Sequence, residues 1–245
     1  MTVSQLLLMQ LMAHLLADFL LQSEKWCEEK EKHILSKQHF LHAAVVSLSA
    51  YVFSFDWYFG ISALIIGVSH LLIDALKSYF IKRREDKKPF LFFVDQLLHV
   101  FVLILISWIY HNNYAPNYFF DLNLNTKIIA VLAAFLFCAK PANIFIKYTF
   151  GLFGLTIAKQ PATGTTDSTS EKELENAGKV IGIVERFMAL GLILAGQYGA
   201  VGLIIAAKSI LRFNSPQKNE YILVGTLLSF GCAIMIGLLI NQFII

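Results

Sequence analysis

The chain has 245 residues, of which 57% are hydrophobic and only 15% charged, with a formal charge of +3 and a mean hydropathy of +0.62. Soluble domains carry about 25% charged residues, so this composition excludes a soluble globular enzyme and points to a multi-spanning, all-α membrane protein. The apolar runs are continuous rather than alternating, which argues against a membrane β-barrel, and the small positive excess is that of cytoplasmic loops rather than a nucleic-acid footprint.

Eight apolar segments are predicted, at about 3–22, 38–55, 58–80, 90–110, 127–156, 178–197, 199–213 and 220–243. The first lacks a preceding basic region and holds His14 and Asp18, so it reads as a permanent span rather than a cleaved signal. Lys25, Lys30, Lys32 and Lys37 separate it from the second segment, which opens with His39 and His42, three residues apart on one helix face. The third carries His70-Leu-Leu-Ile-Asp74 and ends at Lys82-Arg83-Arg84. The fourth carries Asp95-Gln-Leu-Leu-His99, the same spacing reversed. The fifth contains Lys140-Pro141, an expected kink, and the seventh is short enough to be re-entrant.

Placing both termini outside puts nearly every loop Lys and Arg in the cytoplasm and favours eight crossings, or seven if 199–213 does not cross. The expected organisation is an N-terminal bundle at 1–158, a flexible cytoplasmic loop at 159–177 and C-terminal helices at 178–245. The expected location is a bacterial inner (plasma) membrane.

Ionisable groups inside spans cost on the order of 2.5–3.5 kcal/mol each at mid-bilayer, yet here they repeat. The His14/Asp18, His70/Asp74 and Asp95/His99 pairs each share a helix face. Because the fourth segment runs opposite to the first and third, every Asp falls nearer the cytoplasm, with His one turn deeper. His39 and His42 join at the same level. Imidazole and carboxylate together suit zinc or manganese, and eight such groups could hold one or two ions. Asp18, Asp74 and Asp95 are also candidate catalytic bases. For any single residue, satisfying a neighbouring backbone group or snorkelling is the plainer account; three pairs at matched depth are not so easily explained that way.

Lys77, three residues after Asp74, is a candidate contact for an anionic substrate, as are Arg186, Lys208 and Arg212 in the last third. A salt-bridge network from Glu185 or Glu220 to Lys208 or Arg212 is the structural alternative in the last third, and a snorkelling lysine at a helix end is that for Lys77. Cys27, Cys138 and Cys232 show no CxxC spacing and signal neither disulfides nor a thiolate metal site. HExxH, GxSxG and Walker A patterns are absent, excluding the enzyme classes that need them.

The stretches HLLADFLLQ, KQHFLHA, HLLIDALK, DQLLH, GKVIGIVERF, AAKSILRF and EYILVGTLLSF resemble a bacterial integral-membrane family catalogued only as a domain of unknown function, over residues 5 to about 232. That resemblance implies a fold but no activity. The first four segments also resemble metal-dependent hydrolases of bacterial inner membranes that place His and Asp motifs inside spans. The expected function is hydrolysis of a lipid or lipid-linked phosphate at the cytoplasmic leaflet. Transport of a divalent metal or a proton-coupled solute, and a non-catalytic scaffold, are the alternatives.

Overall fold

The computed structural model describes residues 1–120, 125–155, 168–212 and 219–243; the side chains of 168–177, 211–212, 219–222 and 243 lie outside that description. The chain divides into two compact units, Met1–Leu136 and Phe137–Ile245. The described residues form helices and no strands, with one isolated bridge pairing Asp56 and Tyr118.

In the first unit, α1 (Val3–Leu15) starts from a capping box in which Thr2 and Gln5 exchange hydrogen bonds. It passes directly into a π-helical stretch, Leu16–Leu21, that contains Asp18. Widened turns of this kind are uncommon and often mark functional sites. A short polar helix follows, α2 (Glu24–Lys32), capped by Ser23. Next, α3 (Lys37–Ser54) ends where Phe55 turns left-handed at φ 53. Then α4 (Gly60–Arg83) follows a 3-10 turn capped by Asp56, and α5 (Lys88–Asn113) begins with proline in its first turn.

These helices close a ring: α1 packs on α3 and α5, and α4 packs on α3 and α5. Leu6, Val46, Ala50, Phe59, Ala63, Ile66 and Leu103 form its apolar core. Gly67 sets the closest approach, because a Cβ there would lie 2.9 Å from the Ala43 carbonyl oxygen and meet Ser47 Oγ. That contact draws α4 onto α3 one turn from His70 and His42. The outer faces are apolar: Ile61, Leu64, Val68 and Leu72 of α4 and Leu97, Phe101 and Trp108 of α5 are all exposed. A bundle that is polar inside and apolar outside is arranged for lipid rather than water.

The second unit contains α7 (Lys140–Leu152), α8 (Ser168–Leu194), α9 (Tyr198–Arg212) and α10 (Asn219–Phe243), after α6 (Thr126–Cys138), which crosses the unit boundary. Here α10 packs on α8 and α7, and α9 packs on α8. The expected kink is present: α6 stops at Cys138 and α7 restarts with Pro141 in its first turn, where its missing N–H costs nothing.

Two expectations are corrected. Among the described residues, four helical stretches are long and apolar enough to cross a membrane: Val3–Leu21, Trp57–Arg83, Glu85–Asn113 and Leu223–Gln242. The broken α6–α7 pair makes a fifth if taken as one span. The eight expected crossings, and the seven-span variant, are therefore not supported, nor are the assigned sides of the termini. Lys37, Gln38, His39 and His42 dilute the hydropathy of α3, the charged first half of α8 does the same, and α9 is short. Residues 159–167 of the expected loop lie outside the described residues. Its remainder from Ser168 to 177 is helical, the start of α8.

Candidate metal centre

Seven of the eight expected ligands converge inside the first unit. Asp18 sits at the π-helical end of α1, and its Oδ1 lies 3.3 Å from His42 Nε2 and 3.4 Å from His70 Nε2. Those two imidazole nitrogens are 3.0 Å apart. Ligand atoms on a tetrahedral ion with bonds of about 2.05 Å are separated by about 3.3 Å, so this triangle already has the dimensions of a coordination face. His14 Nδ1 stands 3.6 Å from the same Asp18 oxygen.

A second cluster adjoins it. His99 Nε2 lies 3.4 Å from Asp95 Oδ1 and 3.9 Å from Asp74 Oδ1. The other Asp74 oxygen leans on the first cluster, 3.7 Å from His70 and 4.0 Å from His42. Asp74 thus presents one oxygen to each cluster, as a bridging carboxylate does. Three overlapping groups of possible ligands result: His14, Asp18 and His70; His42, His70 and Asp74; Asp74, Asp95 and His99. The His70 and His99 rings stack at 3.8 Å, which fixes their planes.

The ligand set is held together loosely. Asp18 Oδ1, Asp95 Oδ1 and His99 Nε2 are buried and meet their cluster partners only at ion-pair distance, without a well-formed hydrogen bond. Burying such groups so poorly met costs about 1–3 kcal/mol each, and more for charged ones. The residues therefore fit one or two divalent ions on geometry as well as on chemistry.

The buried carboxylates are partly neutralised by lysines. Lys30 Nζ lies 2.5 Å from Asp74 Oδ2, and Lys77 Nζ lies 2.9 Å from Asp95 Oδ2. The Lys30 partnership was not foreseen, since residues 23–37 read as a loop; Ser23 followed by Glu24 in a first turn was the available signal for a helix there. Gln22, with its amide oriented to satisfy both ends, accepts from Lys30 at 2.6 Å and donates to the Asp18 carbonyl at 3.3 Å. Gln96 supports both clusters, donating to Asp95 at 3.1 Å and Asp18 at 3.5 Å, with its oxygen 3.3 Å from His14 Nε2.

His39 is the expected ligand that the fold employs elsewhere. The Ser36 N–H donates to its Nδ1 at 3.1 Å, completing the capping box of α3, and its Nε2 lies 3.2 Å from Ser78 Oγ. Its two ring nitrogens are thereby engaged.

Of the expected anion-binding groups, Lys77 is in the first unit, paired with Asp95, and Arg186, Lys208 and Arg212 fall in the second. Arg186 is buried; its guanidinium donates to the carbonyls of Cys138 at 2.7 Å and Ala139 at 3.2 Å, to Asn143 Oδ1 at 2.7 Å and to Ser229 Oγ at 3.0 Å. It holds the break between α6 and α7 rather than an open anion site. Lys208 pairs with Glu185 and also lies over the Phe230 ring at 5.4 Å. The side chains of Arg212 and Glu220 lie outside the described residues. A cavity of about 10 Å³, room for about one water, borders His14, His70, His99 and Gln10.

Residues 6–126 match a family described as "Protein of unknown function (DUF3307)". The match holds all eight expected metal ligands and stops before GKVIGIVERF, AAKSILRF and EYILVGTLLSF, so the broader resemblance to residue 232 is reduced to the first unit. Neither the curated proteins nor the solved structures offer a match to this chain.

Proposed function

We propose that the first unit is a membrane-embedded, metal-dependent hydrolase that cleaves a lipid or lipid-linked phosphate at the cytoplasmic leaflet of an inner membrane. The observation that carries this reading is the pair of clusters on either side of Asp74, with buried ligand atoms in both that meet their partners only at ion-pair distance. Bound there, two divalent ions would polarise a phosphoryl oxygen and make water a nucleophile near neutral pH. The order of the loop lysines supports the orientation. Lys25, Lys30, Lys32 and Lys37 lie at the same end of the bundle as Lys82, Arg83, Arg84, Lys87 and Lys88, and that end faces the cytoplasm. In this reading α3 crosses beside its three neighbours, with His42 turned to the interior.

The protein's own groups have distinct tasks. Asp18, His14, His42 and His70 would hold one ion, and Asp95 and His99 the other, with Asp74 offering an oxygen to each cluster. Lys77 and Lys30 lie where the cytoplasmic end of the bundle meets the cluster. With the carboxylates engaged by metal, they would be placed to meet the negative charge of a phosphate. Gln96 keeps Asp18 and Asp95 oriented. Zinc and manganese suit the donor set best.

The test uses full-length protein in lipid nanodiscs, loaded with zinc or manganese and given phosphatidic acid or a polyprenyl phosphate. Release of inorganic phosphate, abolished in Asp74→Asn and His70→Ala, is the expected result. No release by metal-loaded protein from either lipid class overturns the hydrolase reading. One observation favours the alternative of divalent-metal or proton-coupled transport. Gln10, beside the clusters, and Ser107, two turns beyond His99, are buried with a polar atom that has no hydrogen-bond partner. Metal-dependent uptake into proteoliposomes without phosphate release would select it.

A further inference from the structure

The two clusters differ in the charges set against their carboxylates. Asp18 meets the imidazoles of His14, His42 and His70 at 3.6, 3.3 and 3.4 Å and the Gln96 amide at 3.5 Å. Imidazoles bind a metal in their neutral form, so Asp18 has no fixed counter-charge. Asp74 and Asp95 each meet an ammonium, Lys30 at 2.5 Å and Lys77 at 2.9 Å. The three carboxylate side chains are at most 9% exposed and that of Lys30 is 10% exposed, so these charges answer mainly to one another. The nearest acidic groups of α2 are engaged elsewhere, Glu31 with Lys88 at 2.6 Å and Glu29 with Lys32 at 2.7 Å. Among the described residues the centre thus sets three carboxylates against two ammonium groups, an excess of one negative charge.

One divalent ion turns that excess into a single positive charge. A second would leave three positive charges in a buried site, a state that an entering anion relieves. The burden falls on the cluster of Asp74, Asp95 and His99, because both of its carboxylates already carry a lysine. A phosphomonoester, with a second pKa of about 6, is mainly a dianion at neutral pH. Entering beside a divalent ion, it adds no net charge. A phosphodiester carries one negative charge and leaves the site one positive charge richer. The dianion's oxygens also give Lys30 and Lys77 new partners once metal engages the carboxylates.

We propose that the second divalent ion and a phosphomonoester dianion bind this centre as one neutral pair, each tightening the other, and that phosphodiesters are disfavoured by the same balance. This pairing rests on the two-ion reading of the centre and adds to it the order of binding and the class of ester. Two ions still fill the centre when metal is in excess; the second is the weaker until the dianion arrives. By linkage, the second ion raises the affinity for the dianion by the same factor.

The test uses the full-length protein in detergent with one equivalent of zinc, which the imidazole-rich cluster takes first. Manganese is then titrated, and its free fraction is read by electron paramagnetic resonance. Three series are compared: no anion, an α,α-difluoroalkylphosphonate, and the monomethyl ester of that phosphonate. The phosphonate is a dianion near neutral pH with no phosphate ester to cleave, and its methyl ester is a monoanion of similar shape. The dianion should lower the manganese dissociation constant by about tenfold or more, and the methyl ester much less. Lys77→Met removes one ammonium from the balance; it should tighten manganese several-fold without any anion and shrink the effect of the phosphonate. Lys77→Arg, which keeps the charge, should do neither. The wild-type series decides the proposal by itself if Lys77→Met fails to fold. Manganese bound equally tightly in all three series overturns the pairing while the two-ion centre stands. Equal tightening by both phosphonates overturns the preference for monoesters and the charge balance behind it. No manganese bound in any series removes the second ion, and the proposal with it. None of these readouts needs turnover, so failure of phosphate release from lipid is a separate result.

Discussion

The Asp74 carboxylate lies 2.5 Å from the Lys30 ammonium, and both side chains are at least nine-tenths buried. The lysine comes from α2, a helix of charged residues that would be expected to lie in water; it reaches into the bundle because a buried carboxylate demands a counter-charge. The same Asp74 oxygen lies within 4.0 Å of His42 and His70, so the ammonium and any metal held by those imidazoles would compete for it.

Lys30→Ala should therefore act oppositely on the two states of the protein. Without metal it strands a buried carboxylate, at a cost of about 3–5 kcal/mol. With zinc bound, the ion supplies the missing charge, and the loss should shrink by more than half. Unfolding curves with and without chelator measure both; equal losses in the two conditions would mean that Lys30 and the metal do not compete for Asp74.

Metal stoichiometry should follow the division of the clusters. Wild-type protein is expected to bind two zinc ions, on the geometry of the two clusters. Asp18→Ala and Asp95→Ala should each retain one, and Asp74→Ala, which removes an oxygen from both clusters, should weaken both. Elemental analysis per chain after gel filtration reads this directly. Equal loss in all three variants would indicate a single ion instead.

His39→Gln should leave metal content unchanged. Its imidazole closes the first turn of α3, a task that glutamine performs at the third position of a capping box. His39→Ala should lower stability by about 1 kcal/mol, still without loss of metal. Loss of an ion in the Gln variant would restore His39 to the ligand set.

Arg186→Leu should destabilise the second unit and leave zinc binding intact. It deprives two carbonyls at the α6–α7 break, together with Asn143 and Ser229, of their donor, at an expected cost of about 3 kcal/mol or more. Proteolysis confined to residues beyond 137, with unchanged metal content, is the expected signature. Normal stability in this variant would return Arg186 to the pool of anion-binding groups.

Cys27 reports on the seating of α2. Burial pushes its thiol above the usual range, so the reactive thiolate is scarce at neutral pH and maleimide labelling should be slow there, rising with pH. In a Cys138→Ser, Cys232→Ser background, Lys30→Ala should speed labelling about tenfold or more by releasing α2. Equal rates in the two proteins would show that α2 is held by other contacts.

Much of this protein was legible in its residues. The low charge, the continuous apolar runs and the paired His/Asp spacing are one-dimensional signals, because helical periodicity puts i and i+4 on one face whatever surrounds them. The convergence of His14, Asp18, His42, His70, Asp74, Asp95 and His99 was expected from the matched level of the three pairs and of His42. The number of crossings was not legible, since hydropathy is diluted wherever a helix turns polar groups inward, as α3 does. Nor was the loss of His39 to a cap or of Arg186 to a helix break: a side chain's partners are set by which backbone groups the fold leaves unpaired nearby.

The composition and the 3.6-residue period by themselves determined an all-α chain with long apolar helices and His/Asp pairs each on one helix face. Only the tertiary structure decided that Asp74 lies between the two clusters and that Lys30 is its counter-charge. Those are distances between residues far apart in the chain. They arise from close packing, such as that of Gly67 against Ala43, and from the need to satisfy each buried charge, which no local pattern encodes.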